Sequence, residues 1–425
     1  MSLEKAGRGG IGKCSPILPP ANLADNVRMK KKNRSFKDLT INVIGLGYGG
    51  TERLKKLSAA GFTHVRGFDT DPDAQDKAFL LSSELPGVVV SKKIQPADVW
   101  FMCVQTLLSD QDEPDLRWVL RASSIIGAEL RRGDLVLICS TVGCGDTRNH
   151  IIPAINDAYY SEPDVVKKSD DYFVGYYPER SSPTLNEISP RIVAGCSLES
   201  LAKAKEFLDH LDEPEPHVVN TLEAAELAKL YENSYRALNV AFANEMADVC
   251  RSFGISAAEV FGAAGTKSFG FHSFDSGVGV GGYRVPVDPC FLMDSAESVG
   301  EPMPLLSRAV EMNNRRPRQI AARYASHFDR DKPITLFGIT YKPDVSDIRN
   351  APAIKILDEL LDDGFDVQYH DPYVPNLFET GRDFESVEPT KENVAQVLLL
   401  VPHEVFEMVY PLILEHSIVF IDATS

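Results

Sequence analysis

Residues 40–59 read TINVIGLGYGGTERLKKLSA, and their pattern predicts a strand, a glycine turn and a helix in immediate succession. The first five residues are rich in β-branched side chains, which suit a pleated strand. Gly45, Gly47 and Gly50 then follow at the GxGxxG spacing, with Tyr48 inside the turn. The spacing has a mechanical meaning. The first glycine permits the tight turn, the second lets a pyrophosphate approach the backbone, and the third lets helix and strand pack closely. The helix N-terminus then offers amides and a positive dipole end to phosphate. The next apolar run, HVRGF at 64–68, ends at Asp69, at roughly the 20-residue spacing of a ribose-binding acid. A carboxylate there accepts from a ribose 2′-hydroxyl and repels a 2′-phosphate, which favours NAD over NADP. The plainer reading is that Asp69 only opens the polar turn DTDPD. It explains the acid but not the whole string.

The rest of the chain bounds what can be built around this unit. A length of 425 residues allows two or three domains with their own cores. With 44% hydrophobic and 25% charged residues the composition is that of a soluble globular protein. The net charge of −17 argues against a nucleic-acid partner, because phosphate backbones require clustered lysine and arginine. It leaves room for a small phosphorylated ligand in a local cationic pocket. No apolar run approaches the roughly 20 residues of a membrane span, so no membrane partner is expected. Seven scattered cysteines, with no CxxC pair, suggest a reducing cytoplasmic setting and no metal site.

Residues 1–38, with Lys30, Lys31, Lys32 and Arg34, read as a solvated N-terminal extension, and order is expected from Leu39. Further α/β units follow. Residues 98–104 and 134–139 read as buried strands, with 116–131 an amphipathic helix between them. Thr106 and Thr141 fall at the carboxyl ends of those strands, where ligands bind in an open parallel sheet. Glu179 follows another strand and a proline. From 222 to 253 there is neither proline nor glycine, and apolar residues recur at helical spacing, which predicts one long helix able to join domains and offer a dimer face. Lys229 and Asn233, four apart, project from one side of it. A second unit of strand, loop and helix opens at 334–357. The fold expected is α/β: two Rossmann-like, doubly wound parallel-sheet domains joined by a long central helix. The boundaries are 39–215 for the NAD-binding domain, 216–328 for the central helical and dimerisation domain, and 329–425 for a C-terminal domain whose nucleotide-sugar binding is implied by a family resemblance.

Between the long helix and that last unit lies GVGVGGYRVPVDPCFL at 277–292. Gly277, Gly279, Gly281 and Gly282 let a backbone turn its amides toward a ligand; alone they could equally mark a tight surface loop. The stretch resembles a signature of the UDP-glucose/GDP-mannose dehydrogenase family, in particular its UDP-N-acetylhexosamine branch, where GxGVGGHCxPVDPxFL stands. Other matches occur in order. Thr106 and Thr141 match two threonine motifs, Glu179 a Pro-Glu pair, Lys229 and Asn233 a KxxxN on the central helix, and Asn244-Glu245 an NE pair. Lys342, Asp347 and Arg349 match GxxYKxxxxDIRxSP. The resemblance runs from about residue 40 to the end.

The resemblance implies oxidation of the 6-hydroxymethyl of a nucleotide sugar to a carboxylate with two NAD, in a homodimer. It places Glu179, Lys229, Asn233 and Asp288 at the chemistry, Gly281, Gly282 and Lys342 at the substrate, and Arg349 on the cofactor. It also exposes a break. The nucleophilic cysteine of the family falls on Arg284, and its preceding histidine on Tyr283. A guanidinium stays protonated and cannot attack an aldehyde, so Arg284 would instead meet an anionic group. Cys290, six residues on, replaces the thiol only if the loop is rebuilt. The span 261–276 holds Lys267 but no arginine for a neighbouring subunit's substrate. Three readings follow: a full 6-dehydrogenase acting through the aldehyde hydrate, a two-electron alcohol dehydrogenase, or a binding homologue without turnover.

Overall fold

The computed structural model describes residues 35–161, 171–180, 189–378 and 383–424. Two compact units divide the chain. The first takes residues up to Gln105, with Arg117–Ser140 and Gly145–Glu226; the second takes Thr106–Leu116, Thr141–Cys144 and everything from Leu227.

In the first unit, β1 (Thr40–Ile44) is followed by α1 (Tyr48–Ala59), β2 (His64–Phe68), α2 (Pro72–Ser82), β3 (Val88–Val90) and β4 (Val99–Met102). A two-stranded ribbon, β5 (Leu107–Leu108) and β6 (Pro114–Asp115), belongs to the second unit. The first unit resumes with α3 (Arg117–Glu129), β7 (Asp134–Ile138), α4 (Ile152–Tyr159), β8 (Tyr172–Tyr176), β9 (Ile192–Gly195), α5 (Leu198–Leu208) and β10 (His217–Val218). Its eight strands lie in the order β10-β9-β8-β7-β4-β1-β2-β3. From β3 to β8 all pairings are parallel, while β9 runs antiparallel to β8. Every residue of β4 and β7 is buried, as expected when helices cover both faces of a parallel sheet. One core joins Leu54 and Leu57 of α1 to Phe207 and Leu208 of α5 across Ile41, Val43, Phe101 and Leu137.

The predicted extension lies outside the described residues up to 34. Its last residues are held in place, contrary to the expected start of order at Leu39. Lys37 donates through Nζ to the carbonyls of Ala60 (2.5 Å) and His210 (2.8 Å), and the Phe36 ring stacks on His210 at 3.8 Å.

Helix α6 (Leu222–Ser252) is a single element of 31 residues, as the absence of proline and glycine predicts. After it come α7 (Ala257–Gly265), α8 (Asp288–Ser298) and α9 (Pro304–Ala325). A second sheet follows with β11 (Ile334–Phe337), α10 (Pro352–Asp362), β12 (Val367–His370), the ribbon β13 (Asn376–Leu377) and β14 (Phe384–Glu385), β15 (Gln396–Leu399), α11 (Tyr410–His416) and β16 (Val419–Asp422). Its four strands are all parallel, in the order β12-β11-β15-β16. Ile354, Leu357 and Leu360 of α10 pack with Ile320 and Ala321 of α9 over Leu336 and Leu398. The strand–helix–strand arrangement expected in both halves is present, with the long helix between them in sequence. No helix among the described residues is long and apolar enough to cross a membrane.

Candidate active site

The glycine turn of the first unit has the mechanics its spacing predicts. Gly45 adopts φ +90°, and a Cβ there would lie 2.7 Å from the backbone of Cys103. A Cβ on Gly50 would sit 1.8 Å from the Gly45 carbonyl oxygen. At Gly47, which precedes α1 without any side-chain cap, the space around a Cβ is open, as it is at Gly49. The backbone there is accessible to a ligand, and the first amides of α1, from Tyr48 on, face an N-terminus fit for a pyrophosphate. Asp69 is oriented by backbone: it accepts from the amides of Leu46 (2.6 Å) and Asp71 (3.0 Å). These residues fit a dinucleotide. Thr106 and Thr141 fall in the second unit, as does Arg349.

Glu179 lies in the first unit in a buried charge cluster that sequence reasoning missed. It accepts from Arg191 Nη2 and lies 3.9 Å from Arg53 Nη2. Arg53 also meets Glu213 at 2.8 Å, as do Lys56 at 2.7 Å and Arg191 at 3.3 Å. The Tyr177 hydroxyl donates to the same carboxylate at 2.9 Å, and its ring carries the Arg191 and Arg53 guanidinium groups at 4.8 and 5.3 Å. One signal could have revealed Arg53. It shares the core-facing stripe of α1 with Gly50, Leu54 and Leu57, at helical spacing, inside a run that otherwise looks solvent-facing.

In the second unit the long helix brings Lys229 and Asn233 to one carboxylate, that of Asp288 at the start of α8. Asn233 Nδ2 donates to Oδ2 at 2.5 Å, and Lys229 Nζ lies 3.8 Å from the same oxygen. Asp288 is fully buried, and its Oδ1 has no hydrogen-bond partner. Burial pushes the carboxyl above its ordinary range, against the pull of Lys229, Asn233 and Arg284. The turn before α8 fixes Arg284 beside this group. Its carbonyl accepts from the amides of Val287 (3.0 Å) and Asp288 (2.7 Å). Cys290 sits in the first turn of α8, its Sγ 3.7 Å from the Pro286 carbonyl, and burial pushes its thiol up to about 11. Such a thiol is a poor source of thiolate.

The glycine-rich loop docks on the loop that carries Lys342 and Arg349. Gly282, at φ +79°, donates its amide to the Arg349 carbonyl at 2.8 Å, and Asn350 donates to the Gly282 carbonyl at 3.0 Å. A Cβ on Gly281 would lie 2.6 Å from that of Tyr341. Arg349 is clamped by Asp347 at 2.9 and 2.6 Å, and both Arg349 and Arg284 lie over the Tyr283 ring, at 4.4 and 5.0 Å. Burial and the neighbouring Arg284 lower the ammonium pKa of Lys342. Cationic groups crowd one end of the second unit, which suits an anionic ligand.

Comparison with known proteins is consistent with this geometry. Models of the UDP-glucose/GDP-mannose dehydrogenase family match three stretches: the NAD binding domain over residues 77–206, the central domain over 223–315 and the UDP binding domain over 335–424. The chain belongs to the UDP-glucose/GDP-mannose dehydrogenase family. It is an enzyme, a nucleotide-sugar dehydrogenase that uses NAD. UDP-N-acetyl-D-glucosamine 6-dehydrogenase of Pseudomonas aeruginosa is 30% identical to it, over 80% of this chain and 84% of the relative. UDP-N-acetyl-D-mannosamine dehydrogenase of Methanococcus aeolicus is 29% identical, over 89% and 88%. Among solved structures, UDP-D-ManNAc dehydrogenase from Pyrococcus horikoshii superposes with a TM-score of 0.76 at 25% identity, over 89% of this chain and 93% of that one.

Proposed function

We propose that this dehydrogenase oxidises the 6-hydroxymethyl of a UDP-N-acetylhexosamine to the uronic acid without a thioester, with Asp288 as the base. One observation carries the reading: Asp288 is fully buried, one oxygen is held by Asn233 and Lys229, and the other has no partner. A carboxylate whose pKa is pushed up is a stronger base, and the unpartnered oxygen is the place for a substrate hydroxyl. Bound NAD supplies the two-electron acceptor. Asp288 takes the proton of the C6 hydroxyl, while Lys229 and Asn233 stabilise the oxygen as it gains negative charge. The aldehyde adds water; once Asp288 has released its proton to solvent and a second NAD has replaced NADH, one hydroxyl of the resulting gem-diol gives its proton to the same carboxylate in the second oxidation. No thiol is consumed, in keeping with Arg284 at the cysteine position and with the high pKa of Cys290. Glu179, tied to Arg191 and Arg53, holds charge and geometry in place of shuttling protons.

Gly45, Gly47, Tyr48, Gly50, Asp69, Thr106, Thr141 and Arg349 would hold the cofactor, and Gly281, Gly282 and Lys342 the nucleotide sugar. Residues 39–215, 216–328 and 329–425 would divide these tasks. The test is NADH formed per sugar over a panel of UDP-N-acetylhexosamines, with products identified by mass, for the native chain and Arg284→Cys. Two NADH per sugar is expected, with a faster second step in the variant. One NADH and an aldehyde would mean a two-electron enzyme, and none a binding homologue.

The chain would act as a homodimer through α6. Tyr231, Tyr235, Phe242 and Val249 are exposed apolar residues on one side of this helix, and the exposed Phe253 follows directly after its last turn. Their spacings are symmetric about Phe242, so an antiparallel copy would set the stripe against itself, as a two-fold interface requires. Phe242→Glu should convert dimer to monomer in sedimentation; an unchanged sedimentation coefficient would reject this face.

A further inference from the structure

A cleft of about 320 Å³ lies between α6 and α9, within the second unit. No residue given a catalytic, cofactor or substrate role above lines it; Val249 of the proposed dimer face does. We propose that it is an effector site for a sugar monophosphate, acting on the glycine-rich loop.

The floor of the cleft carries two buried carboxamides, each half used. Asn244 accepts from the Gly277 amide at 2.9 Å, which fixes its orientation and leaves Nδ2 without a partner. Asn313 donates to the Ala237 carbonyl at 2.9 Å, leaving Oδ1 without one. Both side chains are more than nine-tenths buried. An unpaired amide donor and an unpaired acceptor are costly to bury. A hydroxyl both accepts and donates, so a polyol satisfies the two together.

The walls specify charge. Asp248 is shared by Arg251 (2.7 Å), Arg316 (2.8 Å) and Arg323 (2.9 Å), and Glu311 by Arg308 and Arg315 (2.5 and 2.8 Å). Of these, Arg308, Arg315 and Arg316 line the cleft together with Asp248 and Glu245. The lining thus carries one excess positive charge in a chain whose net charge is −17. Burial lowers the Arg316 pKa against the pull of Asp248, with smaller contributions from the neighbouring Arg323 and Arg251. A phosphate monoester carries between one and two negative charges near neutral pH, and arginine forks match its oxygens. The volume lies in the usual range of small-ligand clefts.

The lining reaches the substrate loop. Asn244 takes the amide of Gly277, and Arg316 Nε donates to its carbonyl at 3.1 Å. Both backbone groups of the residue that opens the glycine-rich loop are therefore gripped from this cleft. A ligand that pulls on Asn244 or Arg316 shifts the root of that loop, which couples the cleft to nucleotide-sugar affinity.

The experiment is calorimetric titration of the full chain with glucose 6-phosphate, inorganic phosphate and glucose, and the same ligands in a KM assay for the nucleotide sugar. Glucose 6-phosphate should bind saturably, about tenfold or more tighter than either fragment, and should shift KM without competing at the sugar site. Met312→Trp, which fills the cleft, and Arg315→Gln at its rim should each weaken binding by at least about tenfold while leaving NADH formation without effector unchanged. Binding no tighter than that of inorganic phosphate, competition with the nucleotide sugar, or unaltered binding in Met312→Trp would overturn the proposal. So would binding seen only in the Phe242→Glu chain, which would mean that a second copy fills the cleft. These readouts do not depend on how many electrons the enzyme removes.

Discussion

Two buried carboxylates, Glu213 in the first unit and Asp288 in the second, show how similar ingredients yield opposite electrostatics. Both are shielded from water and both face cations. Burial alone would raise either pKa, yet Arg53, Arg191 and Lys56 overcome it at Glu213 and draw the carboxyl down to about 2. At Asp288 burial wins, and the carboxyl ends above its ordinary range. The difference lies in how completely each group is satisfied. Glu213 meets Arg53 and the Tyr177 hydroxyl through one oxygen and Lys56 and Arg191 through the other, whereas Asp288 keeps one oxygen without a partner. A fully satisfied carboxylate is committed to structure. One left half-satisfied in a dry site retains capacity for chemistry.

The largest effect that would sharpen this contrast is on turnover. Asp288→Asn should lower kcat by about 10²–10⁴-fold, the usual contribution of a positioned base, with the melting temperature little changed or raised. A base works deprotonated, so the native rate should fall as pH drops through the raised pKa of Asp288. That acid limb should lie above the ordinary carboxylate value of about 4 and should vanish in the variant. A kcat that survives the substitution would remove Asp288 from the chemistry.

The next effect is on stability. Glu213→Ala leaves Arg53 buried beside Arg191 with an acid removed, and should cost about 3–5 kcal/mol in denaturant unfolding. The sign of its pH dependence follows from the depressed pKa. The stabilisation is complete above the unfolded value near 4.5 and is lost as pH falls toward about 2. The native chain should therefore lose more stability than the variant across that window. Equal slopes would mean that Glu213 titrates normally.

Much of the first unit was legible because its constraints are local. Gly45, Gly47 and Gly50 are dictated by backbone approach, and Asp69 by its distance along the chain, so the string specifies turn and acid together. The long helix was equally legible, since Leu222–Ser252 contains no residue that breaks the backbone ladder. Lys229 and Asn233 share a helical face by periodicity, but that this face meets Asp288, 55 residues away from Asn233, comes only from packing. The charge cluster of Arg53, Arg191 and Glu213 spans some 160 residues and has no motif to announce it. Asn313 is in the same position: a polar residue mid-helix looks solvent-facing until α9 is laid against α6. The start of order was misread for a related reason. Lys37 is anchored by carbonyls of Ala60 and His210, partners that no local pattern supplies.

The chemical state of Cys290 has a practical side. With position 284 occupied by a guanidinium and the nearby sulfur pushed to about 11, alkylating electrophiles find no activated sulfur beside Asp288. Reagents such as iodoacetamide, which disable enzymes by capping a catalytic thiolate, should leave this centre intact, and oxidative bursts that poison such thiolates should spare it as well.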